Sequence, residues 1–478
     1  MSWQWILSLV LAAGYALAFI AVLHALLRAR QPQSALGWVA AILTLPLLGS
    51  MAYFIFGINR VDSRAAKLMS DTAERRMKAL KASGLLSGGR VPPTLFAPDT
   101  CEIMRVGEGK PGSFRRLGCN HFTPLFNGDE AYPRMLEAIA SARHEVFLCT
   151  YIFQGRVYGK AFADALLAAH RRGVDVRVLV DGMGTLPGFH KPWKRLQREG
   201  VPVHRFIPPH LLPPQMSVNL RNHRKVLVCD GEGFTGGMNI DDVHVMASRT
   251  REHVQDVHFL CEGPIVGELR EAFLMDWAFV TGQDDTGRLY LPCGAGAMDG
   301  RVVMDGPGTP NDPVQDLLCG VISCARRRIT VMTPYFLPPR ELTSALVSAA
   351  ARGVRVRVIL PAVLDHAYVE WASDHTIPPL LENGVRIFRQ PAPFAHTKLL
   401  LVDDIYVCLG STNLDPRSLS LNFELNVEVF SPELNARLHE FAASVLAVSH
   451  EVTLENLLSR PLAVRLRNAA AWIFSPYL

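Results

Sequence analysis

The hydrophobic positions near the start of the chain form two continuous apolar runs, at residues 5–27 and 36–57. Each run is about as long as a helix that crosses a bilayer, and aromatic residues lie near its ends, where the membrane–water interfaces would be. A short linker that contains Pro32 separates the runs. The pattern predicts a two-helix transmembrane hairpin over residues 1–60.

A cleaved signal peptide is the alternative interpretation of the first run. It is disfavoured because no positively charged side chain precedes the run, because the run is too long, and because a second one follows directly. Two spans return the chain to the side of the membrane on which it began. Six Lys and Arg residues between Arg60 and Lys78 outnumber the two in the turn, so the positive-inside rule predicts a cytoplasmic catalytic part.

Beyond a polar linker at 61–100, strand-like and helix-like patterns alternate, and the same order occurs twice. In the first copy, an apolar strand at 146–153 precedes an amphipathic helix that ends near Gly173. In the second copy, the strand at 329–336 precedes a helix that ends near Gly353. Amphipathic helices that end at glycine and alternate with strands predict βαβ units in a mixed or parallel sheet.

The duplication predicts an α/β fold of two repeated α/β/α units, at residues 101–290 and 291–478, that form one pseudo-twofold catalytic domain. Chance similarity between two α/β halves is the alternative. It is disfavoured because the matched order continues into a repeated sequence motif. Since duplicated units usually set equivalent edges against each other, we expect the two motifs to face a single site.

Each unit leads into one copy of a His-x-Lys-x4-Asp motif. Side chains two positions apart on a strand share a face, so the histidine and lysine of each copy point the same way. A returning strand brings Asn239 to that face in the first copy, and Ser411 and Asn413 in the second. One such motif is weak evidence, whereas two in equivalent places are strong. The two copies are His223, Lys225 and Asp230, and His396, Lys398 and Asp403.

These residue types suit chemistry on a phosphodiester. Lysine and asparagine side chains can hold the nonbridging oxygens and offset the charge that grows in the transition state. One neutral imidazole can attack phosphorus, while the other protonates the leaving alcohol and then deprotonates the incoming one. No metal or other cofactor is required, and neither an acidic cluster nor a His/Cys spacing indicates one. Asp230 and Asp403 complete the motifs at the far end of each strand, where we expect them to fix a turn or a backbone amide.

Each catalytic histidine needs a carboxylate that fixes its tautomer. The sequence predicts Glu424 as the partner of His396 and Asp256 as the partner of His223. Glu252 is the alternative for the second pair. All three carboxylates lie in segments that follow one of the two motifs.

Composition narrows the choice of partners. Apolar residues make up 49% and charged residues 19% of the 478 positions, the net charge is +5, and the nine cysteines include no CxxC pair. So weak a charge does not indicate a nucleic-acid binder, and the cysteines do not indicate a disulfide-stapled secreted fold. The charge suits work beside an anionic membrane. The tail at 454–478 mixes leucines, arginines and aromatic residues, which fits either an interfacial helix or packing on the catalytic domain.

The paired motifs resemble those of the phospholipase D superfamily. With the N-terminal hairpin, four short segments make essentially the whole chain similar to bacterial cardiolipin synthases of the two-motif type. These segments are AsnHisArgLys at 222–225, GlyGlyMetAsn at 236–239, GluGlyPro at 262–264 and AspTrp at 276–277. The resemblance implies transfer of a phosphatidyl group from one phosphatidylglycerol to another, with release of glycerol. It also implies a multi-pass protein of the bacterial inner membrane whose partners are phosphatidylglycerol and other membrane lipids.

The resemblance further implies that His223 is the nucleophile, which forms a phosphohistidine, and that His396 is the general acid and base. The symmetry of the motifs alone leaves these two roles open. The copies are not identical, since the turn of the first is shorter by one residue and Gly237 stands where the second has Ser411. Strict symmetry of the two halves is therefore not expected.

Two other functions stay open on the sequence. A hydrolase of the same superfamily would act on phospholipids or other phosphodiesters and pass the phosphatidyl group to water, and no motif distinguishes the acceptor. A membrane scaffold without activity is disfavoured because both motifs are complete. The oligomeric state is not indicated.

Overall fold

The structure, a computed structural model, divides into two compact units. Met1–Ser63 and Pro208–Val218 form the smaller unit, and Arg64–Ile207 and Asn219–Leu478 form the larger one. Most of the predicted linker at 61–100 lies outside the described residues. The residues described are 3–28, 32–54, 98–108, 116–185, 191–208, 220–250, 252–286, 290, 292–306 and 312–475.

The described part of the smaller unit contains three helices, α1 (Trp3–Arg28), α2 (Pro32–Thr44) and α3 (Pro46–Ala52). The second apolar run is divided between α2 and α3, because proline lacks an amide donor and restricts the residue before it. No helix among the described residues combines the length and the apolar character needed to cross a membrane. The predicted transmembrane hairpin therefore stays a prediction.

A single sheet of 15 strands runs through the described part of the larger unit. Its first half has the strand order β1-β8-β6-β5-β2-β3-β4. The strands of this half, with the short β7 outside the sheet, are β1 (Leu117–Phe126), β2 (Glu145–Thr150), β3 (Asp175–Asp181), β4 (Val203–Phe206), β5 (Val226–Cys229), β6 (Glu232–Gly236), β7 (Val254–Gln255) and β8 (Val257–Glu262).

The second half repeats this order as β9-β16-β15-β14-β10-β11-β12 and adds β17 at the edge. Antiparallel pairing of β1 with β9 joins the halves. The strands of the second half, with the short β13 outside the sheet, are β9 (Met298–Asp305), β10 (Arg328–Met332), β11 (Arg355–Pro361), β12 (Arg386–Gln390), β13 (Phe394–Ala395), β14 (Leu399–Val402), β15 (Tyr406–Gly410), β16 (Glu424–Phe430) and β17 (His450–Val452).

Within each half the sheet is mixed. Strands β2, β3 and β4 are parallel, as are β10, β11 and β12, and the remaining pairs are antiparallel. This duplicated α/β arrangement agrees with the predicted fold class. The helices are α4 (Pro98–Arg105), α5 (Asn127–Ser141), α6 (Tyr158–Arg171), α7 (Pro192–Arg198), α8 (Ile265–Thr281), α9 (Pro313–Cys324), α10 (Arg340–Ala351), α11 (Ala367–Thr376), α12 (Pro378–Glu382), α13 (Pro416–Ser420), α14 (Pro432–Val448), α15 (Leu454–Leu458) and α16 (Leu462–Ile473).

The repeat extends to individual hydrogen bonds at the ends of α6 and α10. Gly173 and Gly353 follow these helices with φ of 87° and 85°, a left-handed conformation that glycine adopts without strain. The arginine before each glycine donates to carbonyls at the end of the preceding helix, α5 or α9: Arg172 to Ile139 and Ala142, and Arg352 to Ile322, Ser323 and Ala325. The shared ArgGlyVal sequence therefore packs equivalent helices together in both halves.

Candidate active site

The two His-Lys pairs lie at the starts of the central strands β5 and β14. Lys225 immediately precedes β5, and Lys398 immediately precedes β14. The buried ammonium of each lysine donates to the carbonyl of its own histidine, over 2.6 Å to His223 and 2.7 Å to His396. The lysines of both motifs influence the pKa of both histidines. The structure thus brings the two pairs into one site.

The segments that carry the histidines pair with strand ends of the opposite half. The His223 amide donates to the Phe423 carbonyl at 2.9 Å, and the His396 amide donates to the Gln255 carbonyl at 2.8 Å. The second contact continues the parallel pairing of β13 with β7. Each of these carbonyls belongs to the residue just before a candidate carboxylate, so each histidine is set beside a carboxylate from the other repeat.

The resulting histidine–carboxylate pairs are the reverse of those predicted. His223 Nδ1 lies 3.2 Å from Glu424 Oε1, although the two atoms are not aligned as a hydrogen bond. His396 Nδ1 is hydrogen-bonded to Asp256 Oδ2 at 2.9 Å. The predicted pairing of Glu424 with His396 and of Asp256 with His223 is wrong because the histidine segments cross between the halves. Glu252, the predicted alternative, is exposed.

Burial lowers the pKa of both imidazoles, and the two lysines lower it further. The pKa of His396 is held well below its usual range, and that of His223 is lowered against the opposing charge of Glu424. Near pH 7 both side chains are therefore neutral in the free site. A neutral imidazole is the form that a nucleophile and a general base both need.

Burial also lowers the pKa of both lysines, and that of Lys398 falls to about 7. The nearby carboxylates Asp256 and Glu424 act in the opposite direction, toward the charged ammonium. An anionic phosphate between the lysines would add to that effect, because an opposite charge nearby favours the protonated form. The positive charge of the site is thus strongest when a phosphate is bound.

The titration of Lys398 predicts a pH dependence. Its folded-state pKa lies at about 7, so the ammonium is present below that pH and is lost as the pH rises through it. We expect kcat/KM for an anionic phosphodiester to fall above about pH 7, and kcat to fall only at higher pH, because bound phosphate raises the pKa. Initial rates from pH 6 to 9 measure both profiles. A kcat/KM that stays constant across this range would contradict the prediction.

Ser411 and Gly237 hold different positions relative to the two carboxylates. The Ser411 hydroxyl donates to Glu424 Oε2 and accepts from the Leu425 amide, contacts that were not predicted, and its role in binding phosphate stays a prediction. At Gly237 a Cβ atom would lie 2.6 Å from Asp256 Oδ2, which no side chain can do without displacing the carboxylate. The glycine makes room for the shorter carboxylate, while the serine holds the longer one.

Asn239 and Asn413 are buried, and each follows the strand that returns beside its lysine's strand, β6 or β15. Asn239 Oδ1 accepts from the Ile152 amide at 3.2 Å, and Asn413 Nδ2 donates to Ser418 Oγ at 3.2 Å. Each amide therefore supports a neighbouring loop. A role in binding phosphate stays a prediction for both.

Asp230 and Asp403 lie at the opposite ends of β5 and β14 from the lysines. Both have positive φ, at 47° and 50°, and both carboxylates accept from three consecutive backbone amides at the start of the neighbouring strand. These amides belong to Arg143, His144 and Glu145 for Asp230, and to Arg326, Arg327 and Arg328 for Asp403. The geometry is that of a structural clamp between β5 and β2, and between β14 and β10, and it does not place these carboxylates with the histidines.

Removal of this clamp should affect stability. We expect Asp403→Ala to lower the free energy of unfolding by about 2–3 kcal/mol, since it leaves three backbone amides without their acceptor and puts alanine at positive φ. The matched control is Asp404→Ala, which removes only the partly exposed ion pairs with Arg327 and Arg328 and should cost about 0.5 kcal/mol or less. Denaturant unfolding of both variants measures the difference. Equal losses of unfolding free energy in the two variants would contradict a stabilising role of the Asp403 carboxylate.

Tyr151 was not among the residues predicted from the sequence, and its ring packs edge-on against His223 at 4.6 Å between ring centroids. The Lys225 ammonium lies 5.7 Å from the same ring. In the repeat alignment, ThrTyrIlePhe at 150–153 matches ThrProTyrPhe at 333–336, so Pro334 stands at the equivalent position. This difference between the two aligned segments was the available signal. The position equivalent to Tyr151 supplies no ring to His396, whose ring neighbours are instead Phe394 and His244.

The sequence analysis also gave no role to Arg224, which is buried beside His223. Its guanidinium binds Asp276 Oδ1 at 2.6 Å and donates to the Glu424 carbonyl at 3.1 Å. Asn222 donates to the other oxygen of Asp276 at 2.7 Å. The AsnHisArgLys and AspTrp segments are thus parts of one buried network that fixes the backbone on both sides of His223.

Comparisons with known proteins agree with this architecture. A family model described as cardiolipin synthase, PLD-like domain, matches residues 135–277 and 318–445, one segment in each half. A second model, described as phospholipase D-nuclease N-terminal, matches residues 16–57. These matches confirm the resemblance that the paired motifs indicated.

Curated relatives and a solved structure extend the comparison. The major cardiolipin synthase of Bacillus subtilis (strain 168) is 28% identical over 98% of this chain and 99% of its own length. Cardiolipin synthase 1 of Bacillus anthracis is 31% identical over 84% of this chain and 81% of its own length. The crystal structure of phosphatidylserine synthase from Haemophilus influenzae Rd KW20 has a TM-score of 0.63 and 16% identity, and the match covers 79% of this chain and all of that one. That structure supports the fold alone.

Proposed function

This chain belongs to the cardiolipin synthase family with a phospholipase D-like domain, and on that premise we propose that it joins two phosphatidylglycerol molecules into cardiolipin and glycerol. The observation that carries the proposal is the pairing of two histidines, each with its own lysine and its own buried carboxylate, in one site. A transfer through a covalent intermediate needs one nucleophile and one acid/base group, and this site supplies two imidazoles for the two tasks.

In the first half-reaction, His223 attacks the phosphorus of the donor lipid through Nε2, because its Nδ1 faces Glu424. A bond from phosphorus to nitrogen forms, the bond to the glycerol oxygen breaks, and His396 gives a proton to the departing glycerol. For this step His396 must first be protonated, and Asp256 at 2.9 Å stabilises the imidazolium. The lysines offset the charge on the nonbridging oxygens.

In the second half-reaction, the now neutral His396 removes the proton from a glycerol hydroxyl of the second phosphatidylglycerol. The resulting oxygen attacks phosphorus, the bond to His223 breaks, and cardiolipin leaves. His223 is then neutral and His396 protonated, as at the start of the first half-reaction. Water in place of this hydroxyl would yield phosphatidic acid. The transferase therefore depends on a second lipid that reaches the phosphohistidine before water does.

The substrate places the protein at a lipid surface. We infer a membrane-associated bacterial enzyme, anchored at the inner membrane through its N-terminal segment, with the larger unit on the cytoplasmic side. The match of residues 16–57 to the N-terminal family model and the basic residues after the second apolar run support this placement. A fusion of a reporter enzyme to the C-terminus, scored for activity in the cytoplasm or the periplasm, tests the orientation.

The products distinguish the proposed transferase from a hydrolase. Purified full-length protein is incubated with phosphatidylglycerol in mixed micelles, and lipids and free glycerol are quantified over time. We expect cardiolipin and glycerol in equal amounts. The control is His450→Ala, which changes a histidine at the exposed edge strand β17 and should not affect the rate. Phosphatidic acid as the product, without cardiolipin, would overturn the proposal in favour of a hydrolase.

A further inference from the structure

Helix α16 exposes a stripe of large apolar side chains. Leu462, Leu466 and Ile473 are 68%, 60% and 68% exposed, and Phe474 follows at 61%. At about 100° of rotation per residue, the first three lie within about 40° of one another around the helix. We call Leu462, Leu466 and Ile473 the outer face of α16.

The opposite side of α16 is fixed to α11. Ala471 packs against a small buried cluster that contains Val369 and Ala372, and the Arg467 guanidinium lies 4.3 Å from the centre of the Trp371 ring. The helix is therefore part of the larger unit. Because Ala471 and Arg467 face α11, the outer face points away from α11.

The charges along α16 are all positive. Arg465 lies roughly 60° from Leu462 and borders the outer face, whereas Arg467, roughly 100° from Leu466, lies toward α11, where its guanidinium contacts Trp371. The helix contains no Asp or Glu. Apolar residues bordered by arginines are typical of helices that lie in the interface of an anionic membrane, because the aliphatic stems can be buried while the charges reach the headgroups. The pattern is complementary to an anionic lipid surface.

The helix pair α11–α16 lies at the same end of the sheet as the site. Met332, at the carboxyl end of β10, pairs with Leu399, which follows Lys398. Just beyond β10, Tyr335 donates to Asp365 at 2.7 Å, immediately before α11. Helix α16, with its outer face, therefore packs on a helix near the carboxyl end of β10, which is the end of that strand beside Lys398.

We propose that the outer face of α16 docks on the surface of an anionic phospholipid bilayer and holds the site against the membrane that contains its substrate. This inference rests on the proposed function, since it assumes a lipid substrate. It adds a second membrane contact, made by the larger unit itself and separate from the N-terminal segment.

The test separates delivery of lipid from chemistry. Full-length wild type and Leu466→Glu/Ile473→Glu are assayed on phosphatidylglycerol in vesicles and on a short-chain phosphatidylglycerol dissolved as monomers. We expect the variant to lose about tenfold in kcat/KM on vesicles, because two apolar contacts with the bilayer are replaced by charges, and to match wild type on monomers. Val448→Glu, which alters a side chain of α14 that is 59% exposed, is the matched control and should match wild type on both.

Hydrogen exchange of residues 462–474 gives a readout that does not depend on activity. We expect slower exchange when wild type is bound to phosphatidylglycerol vesicles than to phosphatidylcholine vesicles. Equal rates of the variant and wild type on vesicles, or equal exchange with both lipids, would overturn the inference. A dimer in detergent that the variant abolishes would also overturn it, in favour of a second copy on this face. Absence of cardiolipin synthesis by wild type on both substrates would instead contradict the proposed function.

Discussion

Replacement of His223 by alanine is expected to reduce the turnover of phosphatidylglycerol by about 10⁴-fold or more, because it removes the proposed nucleophile that forms the covalent intermediate. His396→Ala should cause a loss of the same order, since the departing glycerol then has no proton donor and the incoming hydroxyl has no base. Cardiolipin formed per enzyme per minute measures both. Normal turnover in either variant would contradict a site shared by the two motifs.

The two variants should differ in single-turnover experiments. With a phosphatidyl ester of a good leaving group, labelled in the phosphate, His396→Ala can still form the phosphohistidine because the leaving group needs no proton. We expect labelled protein to accumulate in His396→Ala and to be absent in His223→Ala, with His450→Ala as the unaltered control. Label in His223→Ala alone would mean that the roles of the two histidines are exchanged.

The second large effect concerns the crossed carboxylates. Glu424→Gln should slow formation of the phosphohistidine by about 10²- to 10⁴-fold, although Glu424 belongs to the repeat that carries the other histidine. The Glu424 carboxylate lies 3.2 Å from His223 Nδ1, where its negative charge stabilises the proton on that nitrogen. The neutral amide of glutamine cannot supply this charge. Asp256→Asn should leave that step largely intact on the activated ester and slow transfer to the acceptor by a similar factor.

Labelled protein again distinguishes the outcomes. We expect slow labelling in Glu424→Gln and accumulation of label in Asp256→Asn. Both substitutions keep the side-chain volume, and thermal unfolding of each variant shows whether the fold is retained. The opposite pattern of labelling would favour pairing of each carboxylate with the histidine of its own repeat.

Local patterns were sufficient to predict the repeat. The two helices that end near Gly173 and Gly353, and the strands before them, occur as predicted. The end of a helix depends on nearby residues and on one residue with positive φ, so a local pattern predicts it. The prediction that the His and Lys of each pair share the face of a strand stays a prediction, since both residues of each pair precede β5 or β14. The second apolar run was less predictable, since its hydropathy is continuous across Pro46 although its helices are not.

Partner choice could not be predicted, because it depends on contacts between distant parts of the chain. Both Glu424 and Asp256 were identified from sequence, but their histidines were exchanged, since neither repeat shows that His223 pairs with the strand end at Phe423. The contact of Ser411 with Glu424 was not predicted, for a related reason. A hydroxyl on the same face as a lysine can serve a ligand or a neighbouring carboxylate, and only the position of Glu424 decides between them.

The crossed pairing has a consequence for the order in which the protein is made. The partners Asp256 and His396 are 140 positions apart, and His223 and Glu424 are 201 positions apart. A ribosome-bound chain that has completed only its first half therefore carries a histidine without its carboxylate and a carboxylate without its histidine. Catalytic competence arises late in synthesis, so incomplete or truncated chains at the membrane would not attack the lipids around them.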